Sequence, residues 1–324
     1  MSSIHVTPVG FESFGVRSMC TYVETADIRV LIDAGVALGP RFGKLPHPQE
    51  YRARDLCRTR IRELSEKSDV IVISHYHNDH HTPNYTETVW LGSSAEESEQ
   101  IYQNKTIIAK DARNFINFSQ RRRGWMFQRF LKRIGGKFEV GDGRFFEYGE
   151  TKIRISQPVL HGEEHSGLGW VIMTTVETGE GKFIHASDVQ GPMSTDTMNT
   201  ILAERPNLLV IGGPPTYLRG TKVDKTHIEN AITNASRIVG FVPETIFEHH
   251  ILRSEDWAND VKPVYEAAAT ASHKVMTAAD YAGTKPLLLE SVRTRLYADD
   301  PPSESFLKWT TLPRNQQRQT NPPI

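Results

Sequence analysis

Short apolar runs separated by glycines and polar turns dominate the first half of the chain and predict β-strands. A helix is predicted over 47–67, where Leu56, Ile61 and Leu64 recur on one face. A second helical or broken-helical stretch is predicted over 111–134, before Gly135-Gly136. The predicted strands of this half are 4–9, 18–24, 28–32, 69–73, 106–109, 144–148, 152–157, 169–176 and 182–186.

After residue 206 the pattern changes to an alternation of strands and helices. Strands are predicted over 207–211, 245–248 and 274–276, and helices over 226–238 and 257–271. Strands followed by interleaved helices suit an α/β fold in which two sheets pack face to face with helices outside. We assign 1–290 to this domain. The polar, proline-rich remainder, 291–324, is predicted to be a poorly ordered tail or a strap over the domain.

Composition narrows the class of protein. The chain has 324 residues, is 38% hydrophobic and carries a formal net charge of -1, which suits one large domain. No apolar run approaches the roughly 18 residues of a membrane helix, and the N-terminus does not have the pattern of a secretion signal. Only two cysteines occur, far apart, so a disulfide framework is not expected and a reducing cytoplasm is the predicted location.

Histidines and acids cluster directly after the predicted strand 69–73. The segment His75-x-His77-x-Asp79-His80 places four metal-binding side chains within six residues. Imidazole nitrogen and carboxylate oxygen are common ligands of divalent transition metals. Because alternate side chains can turn to opposite sides, we expect His75 and His77 to serve one ion and Asp79 and His80 a second. Two ions about 3.5–4 Å apart would share a bridging hydroxide and an anionic substrate oxygen.

Further ligands are predicted at the ends of later strands, where a rigid sheet can fix a metal geometry. They are His161, Asp188 and one of the pair His249-His250. Any one of these histidines alone is better explained as a surface or capping residue, and the density of the cluster is what favours metal binding. Adjacent residues at a strand end point in opposite directions, so only one of His249 and His250 is expected to ligate.

Together these motifs resemble, in order, those of the metallo-β-lactamase superfamily. Leu31-Ile32-Asp33-Ala34-Gly35 is similar to its first motif, in which the aspartate supports the metal loop from behind. The resemblance covers 4–289 and implies an αββα sandwich of two mixed β-sheets flanked by helices, with the site at one edge. It also implies that Asp188 bridges the ions, and Arg253 favours His249 as the final ligand. The sequence of these motifs is most similar to that of an uncharacterised archaeal-type subgroup. This resemblance does not indicate a substrate.

Such a site implies a hydrolase in which two metals activate water, with Asp79 as a ligand that also orients the hydroxide. Candidates for a leaving-group acid are His81, His165, His185, His227 and the unused member of 249/250. His227 lies in a Thr226-x-x-Glu229 capping box, so a first-turn surface position is the alternative to a catalytic one. Tyr217, after a glycine–proline loop, is a candidate substrate-binding residue; a plain turn is its alternative.

The stretch 110–137 is a basic helical insert. Its cationic residues include Arg121 and Arg122, both candidate substrate-binding residues, and Asp111 is its only acid. Interleaved aromatic residues suit a surface that binds phosphates and stacks on bases. The alternative is an amphipathic helix whose aromatic residues pack on the sandwich while its arginines face water.

The basic insert favours a phosphodiester as the substrate, either a small molecule or a nucleic acid. The alternative substrate class is a lactone, thioester or β-lactam, which requires an apolar pocket instead. Two divalent ions are expected, with zinc the default and iron or manganese also compatible with these ligands. A homo-oligomer is left open, with the insert as a candidate dimer surface.

Overall fold

The apolar residues of the strands alternate between two sides, and this alternation builds a layered sandwich. In the computed structural model, which describes residues 3–164, 166–318 and 320–324, Val30, Val70 and Val72 point into an inter-sheet core. Their neighbours Leu31 and Ile71 point outward, beneath helices. The two-residue period of a strand therefore gives each sheet two apolar faces. The result is an αββα sandwich of two mixed sheets flanked by helices.

The first sheet has six strands in the order β1 to β6, antiparallel from β1 to β3 and parallel from β3 to β6. These strands are β1 His5–Gly10, β2 Cys20–Glu24, β3 Arg29–Ile32, β4 Val70–Ile73, β5 Thr106–Ala109 and β6 Lys137–Val140. Its outer face carries α1 Pro48–Lys67, α2 Ala95–Tyr102 and α3 Phe118–Arg133.

The second sheet has seven strands in the order β15-β14-β13-β12-β11-β8-β7, parallel from β15 to β12. These strands are β7 Phe145–Tyr148, β8 Thr151–Ile155, β11 Thr174–Thr178, β12 Gly181–His185, β13 Leu208–Gly212, β14 Glu244–Glu248 and β15 Lys274–Met276; a separate pair is β9 Val159–Leu160 and β10 Trp170–Val171. Its outer face carries α4 Thr195–Glu204, α5 Lys225–Val239 and α7 Lys262–Thr270.

The C-terminal residues lie across the first layer of helices. The remaining helices are α6 Trp257–Asp260, α8 Ala278–Tyr281, α9 Arg293–Asp299, α10 Glu304–Thr310 and α11 Arg314–Gln317. Phe306 and Trp309 of α10 are buried, with ring centroids 5.9 and 6.0 Å from that of Tyr51 in α1. The segment 304–310 therefore has the form of a strap. No helix in the described ranges has the length and apolar character needed to cross a bilayer.

Several predicted boundaries were wrong. The residues 111–117 form bends and irregular backbone, and α3 begins only at Phe118, capped by Asn117. The predicted helix 257–271 is two helices, because Pro263 can occupy only the first turn of the second one. Strand β6 and helices α2 and α4 were missed. Leu56 is exposed, since the buried side of α1 carries Tyr51, Cys57 and Ile61 instead.

Candidate metal centre

The loop that follows β4 is held from behind by Asp33. One carboxylate oxygen of Asp33 accepts a hydrogen bond from the backbone N–H of Ser74 (2.8 Å), and the other lies 2.8 Å from His80 Nδ1. Gly35 makes room for the loop, because a Cβ there would lie 2.2 Å from the backbone nitrogen of His81. The Asp-Ala-Gly segment therefore supports the loop by hydrogen bonding and by close backbone packing.

One group of ligands consists of three histidines. His75, His77 and His161 each offer a ring nitrogen, and these atoms lie within 4.8 Å of one another. His75 Nε2 is 3.1 Å from His77 Nδ1. His161 directly follows the short strand β9, so it reaches the group from the separate β9–β10 pair. Three imidazoles within this distance can hold a divalent transition metal.

A second group lies beside the first. It consists of Asp79, His80 and His249, again with one ligand atom each within 4.8 Å of the others. His249 Nε2 lies 3.7 Å from Asp79 Oδ2. Asp188, after β12, joins the two groups: its Oδ2 is 2.9 Å from His161 Nε2 and 3.4 Å from His249 Nε2. If each group held an ion, this carboxylate would lie within reach of both.

Carboxylates behind the ligands orient two of the histidines. Asp33 holds His80 through Nδ1, and Glu12 holds His249 through Nδ1 at 2.9 Å. In each case the opposite nitrogen, Nε2, faces the centre and has no hydrogen-bond partner among the described residues. Metal-ligating histidines typically show this carboxylate–imidazole arrangement. The buried Asp188 Oδ1 also has no hydrogen-bond partner there, so the donor set fits metal ions.

The electrostatics of the centre favour neutral imidazoles at His75 and His77 beside ionised acids, whereas Asp33 and Asp79 outweigh burial and raise the pKa of His80. Burial lowers the pKa of His75 well below its ordinary value and that of His77 to about 3. Burial alone would raise the pKa of Asp188, but His250 and His161 lower it far below its usual range. His249 differs: burial would lower its pKa, but the carboxylates of Glu12 and Asp188 raise it to about 10. A metal bound there must therefore displace a proton from His249.

Backbone strain is concentrated at the same place. Asp33, Ser187, Gln190 and His249 all have φ between +54° and +66°, a region that residues other than glycine rarely adopt. These residues lie just after β3, β12 and β14, where the chain must turn sharply to aim side chains at the centre. Strain held by surrounding packing is common at functional sites.

The expectation that His249 and His250 point in opposite directions was wrong. Strand β14 ends at Glu248, and His249–Arg253 form a 3-10 helix whose first residue has a φ of 66°. Both imidazoles consequently face Asp188, with His250 Nε2 at 3.2 Å from its Oδ2. His249 groups with Asp79 and His80, whereas His250 groups with His161 and Asp188. Burial lowers the pKa of His250 to about 4, so it is neutral near pH 7.

Other residues predicted to act in the site lie outside the two ligand groups. His227 is in the first turn of α5, partly exposed, with Nδ1 3.1 Å from Glu163 Oε2. Asp224 caps that helix, so the predicted Thr226 capping box does not form. His81 and His185 are buried and bond backbone carbonyl oxygens of His77 and Met19; His165 lies outside the described residues.

The candidate substrate-binding residues are found in two places. The Tyr217 hydroxyl is 3.4 Å from Arg253 Nη1, and Arg253 donates from both Nε and Nη2 to Glu12 Oε1. Tyr217 therefore contacts the arginine that pairs with Glu12, the carboxylate beside His249. Arg121 and Arg122 are exposed on α3 and line a surface groove of about 470 Å³.

Relatives of the chain cover nearly its whole length. A UPF0282 protein of Pyrobaculum islandicum is 39% identical over 297 residues, which is 91% of this chain and 95% of that protein. A UPF0282 protein of Methanopyrus kandleri is 37% identical over 298 residues, which is 92% of this chain and all of that protein. The chain belongs to the UPF0282 family. No model of a protein family matches it.

Solved structures similar to this UPF0282 protein include metal-dependent enzymes. A metal-dependent hydrolase of the β-lactamase superfamily has 18% identity and a TM-score of 0.45, covering 86% of this chain and 96% of that chain. CmlA, a diiron β-hydroxylase from Streptomyces venezuelae, has 14% identity and a TM-score of 0.49, covering 85% of this chain and 52% of that chain. Likenesses of this size carry no information about what the UPF0282 chain acts on.

Two residues that contact the candidate metal centre of this UPF0282 protein were not predicted from the sequence to do so. Glu12 is separated by 237 positions from His249, and no local pattern marks it. Arg123 differs from its neighbours Arg121 and Arg122 because it is half-buried and donates to the backbone carbonyl of Tyr76 (2.7 Å). Burial lowers the pKa of Arg123, and the Tyr85 hydroxyl and the Asp79 carboxylate oppose this. Its place on α3, five positions after Phe118, turns it toward the metal loop.

Proposed function

We propose that this UPF0282 protein is a hydrolase that holds two divalent ions and cleaves a phosphodiester bond. The observation that carries this proposal is the pair of adjacent ligand groups, His75/His77/His161 and Asp79/His80/His249, joined by Asp188. Zinc is the ion we propose, because imidazole-rich sets with carboxylates suit it. When bound, such ions lower the pKa of water and polarise the bond to be cleaved.

The side chains of the protein orient the reactants. The Asp79 side chain is 20% exposed, which leaves it within reach of solvent although its neighbours are buried. Burial would raise the pKa of Asp79, but His80 and His249 keep it below its ordinary value, so it stays a carboxylate at neutral pH. We propose that it accepts a hydrogen bond from the attacking water and so aligns it with the substrate.

His227 is proposed as the proton donor to the leaving group. Its Nδ1 faces the Glu163 carboxylate, and we propose that Nε2 is the nitrogen that faces the substrate. Glu163 lies two residues after His161, so the pair belongs to the loop that continues from the three-histidine group. Partial exposure of both side chains suits a position at the rim, where the leaving group departs.

Support for a phosphodiester comes from the cations beside the centre. Arg123 contacts the metal loop through the Tyr76 carbonyl, and Arg121 and Arg122 lie on the same helix. Helix α3 contains no acidic residue at all. A positive field next to the ligand groups favours an anionic substrate over a neutral lactone or thioester.

The test begins with elemental analysis of the purified protein, for which we expect two divalent ions per chain. The metal-loaded protein is then incubated with bis-p-nitrophenyl phosphate, a homoserine lactone and nitrocefin, alongside the Asp188→Ala variant. We expect turnover of the phosphate diester alone and its loss in the variant, because Asp188 contacts both ligand groups. Turnover of the lactone or nitrocefin instead would replace the phosphodiester with the alternative substrate class, and a metal-free protein would refute both.

A further inference from the structure

One face of α3 carries cations and aromatic rings that remain open to solvent. At the spacing of a helix, seven residues share this stripe. They are Phe118, Arg121, Arg122, Trp125, Arg129, Lys132 and Arg133. We refer to them as the α3 stripe; it rises about 22 Å along the helix from first to last residue.

The cations of the α3 stripe are unpaired. Among the described residues, none of its five basic side chains forms an ion pair, and neither does the nearby Arg113, although 19 pairs of a lysine or arginine with an acid are formed elsewhere. The α3 stripe is therefore a cluster of positive charges that no acidic side chain of the described residues neutralises. A surface of one sign attracts a partner of the opposite sign, and phosphates are the common polyanionic choice.

The aromatic rings of the α3 stripe are exposed instead of packed. Phe118 is 82% and Trp125 55% exposed, whereas Phe127 and Phe130 on the opposite side of the helix are buried. The alternative in which all the aromatic residues pack on the sandwich therefore applies only to the second pair. Arg129 lies over the Trp125 ring, 4.7 Å from its centroid, so this exposed ring already stacks with a guanidinium group.

A groove beside these rings provides a place for a planar group. It holds about 470 Å³ and is lined by Arg113, Phe118, Arg121, Arg122 and Trp125, with Ala112 and Gln128. Guanidinium groups and aromatic rings thus alternate along one concave surface. Proteins that bind single-stranded nucleic acid combine these two features. Their cations contact the phosphate backbone of the nucleic acid, and their aromatic rings stack on its unpaired bases.

Helix α3, which carries the stripe, also contacts the loop of the candidate metal centre. Arg123 lies on the buried side of α3, with Phe127 and Phe130, and donates to the carbonyl of Tyr76, which lies between His75 and His77. A strand bound along the stripe would therefore pass over the edge of α3 to reach the ligand groups. A lipid surface is less favoured, because the exposed rings alternate with arginines and form no continuous apolar face.

From these observations we infer that the α3 stripe is a binding site for single-stranded nucleic acid, which makes such a strand the substrate class of the centre. The binding itself stands apart from catalysis, and only the fate of the strand rests on the proposed function. Duplexes are excluded from the stacking contacts because their bases are already stacked on one another.

The test measures binding of a fluorescein-labelled single-stranded RNA of mixed sequence by anisotropy. The protein is used as purified, and the integrity of the RNA is checked after each titration. If all five cations of the stripe contact phosphates, the logarithm of the affinity should fall with the logarithm of the salt concentration with a slope of about -3.5. Arg122→Gln combined with Arg129→Gln should reduce that slope by about 1.4, and Trp125→Ala should weaken binding roughly 5- to 150-fold.

The matched control is Arg52→Gln combined with Arg60→Gln. Both arginines are exposed on α1, at the other end of the first sheet, and should leave affinity and slope unchanged. Equal binding of the same sequence as a duplex, an unchanged affinity in Trp125→Ala, or binding to phosphatidylserine vesicles but not to RNA would each overturn the inference. Turnover of bis-p-nitrophenyl phosphate is measured separately, so its absence would refute the catalytic proposal and leave RNA binding intact.

Discussion

Replacing Glu12 by glutamine should weaken metal binding without altering any ligand. The Glu12 carboxylate lies 2.9 Å from His249 Nδ1 and also receives Arg253 Nε and Nη2 at 2.9 and 2.6 Å. It fixes which ring nitrogen of His249 faces the centre and raises the basicity of that nitrogen. An amide keeps the shape of the side chain but removes the negative charge that orients His249 and raises the basicity of its nitrogen.

The size of the effect follows from the two contacts. Loss of a carboxylate behind a metal-ligating histidine typically lowers metal affinity about 10- to 100-fold, which corresponds to about 1.4–2.7 kcal/mol. The variant also leaves Arg253 buried without its partner, and breaking a buried pair costs about 3–5 kcal/mol of stability. A measurement must separate these two consequences.

Glu50→Gln provides the matched control. Glu50 is buried, and it receives Arg293 Nε and Nη2 at 2.8 and 2.7 Å, much as Glu12 receives Arg253. It touches no candidate ligand. Both variants should lose similar stability in urea unfolding of the metal-free proteins, whereas only Glu12→Gln should lose zinc affinity.

Zinc affinity is measured by competition with a chromophoric chelator. We expect one of two binding steps to weaken, because Glu12 supports only the group that contains His249. Unchanged affinity in Glu12→Gln would refute the role of this carboxylate. An equal loss of affinity in Glu50→Gln would show that general destabilisation, and not the orientation of His249, is responsible.

Four further predictions follow. Gly35→Ala should remove bound metal and lower the melting temperature, because its Cβ would meet the backbone of His81 at 2.2 Å; metal content near that of the wild type would contradict this. Arg17 outweighs burial and lowers the pKa of Glu290 to about 2, so the ionised pair stabilises the fold above the unfolded pKa of 4.5, by about 3 kcal/mol. That contribution is lost as the pH falls toward 2, so the difference in unfolding free energy between wild type and Glu290→Gln should shrink below pH 4.5; a difference independent of pH would count against it. Burial raises the pKa of the Cys57 thiol to about 12 and that of Cys20 well above its ordinary value, so iodoacetamide at pH 8 should label both only after unfolding. His227→Gln should slow hydrolysis of a phenyl diester more than that of a p-nitrophenyl diester, whose leaving group needs no proton; equal slowing would argue against His227 as the donor.

The sequence alone was sufficient to predict the sandwich and the segment around His75 to His80. Both depend on local order: apolar runs alternate with the period of a strand, and four candidate ligands fall within six residues after the strand Val70–Ile73. Asp33 was indicated by the resemblance of Leu31-Ile32-Asp33-Ala34-Gly35 to the first motif of the metallo-β-lactamase superfamily. The ends of the helices and strands were predicted less accurately. Strand β6 and helices α2 and α4 were missed, because their short patterns are weak signals by themselves.

Only the tertiary structure decided which side chains face one another. Glu12 reaches His249 from 237 residues away, and Arg123 alone of three consecutive arginines turns toward the metal loop. His249 and His250 converge on Asp188 because a 3-10 helix with a left-handed first residue replaces the expected strand end. Such outcomes depend on packing between distant elements, and the periodicity of a single segment contains no information about what the opposite sheet will place beside it.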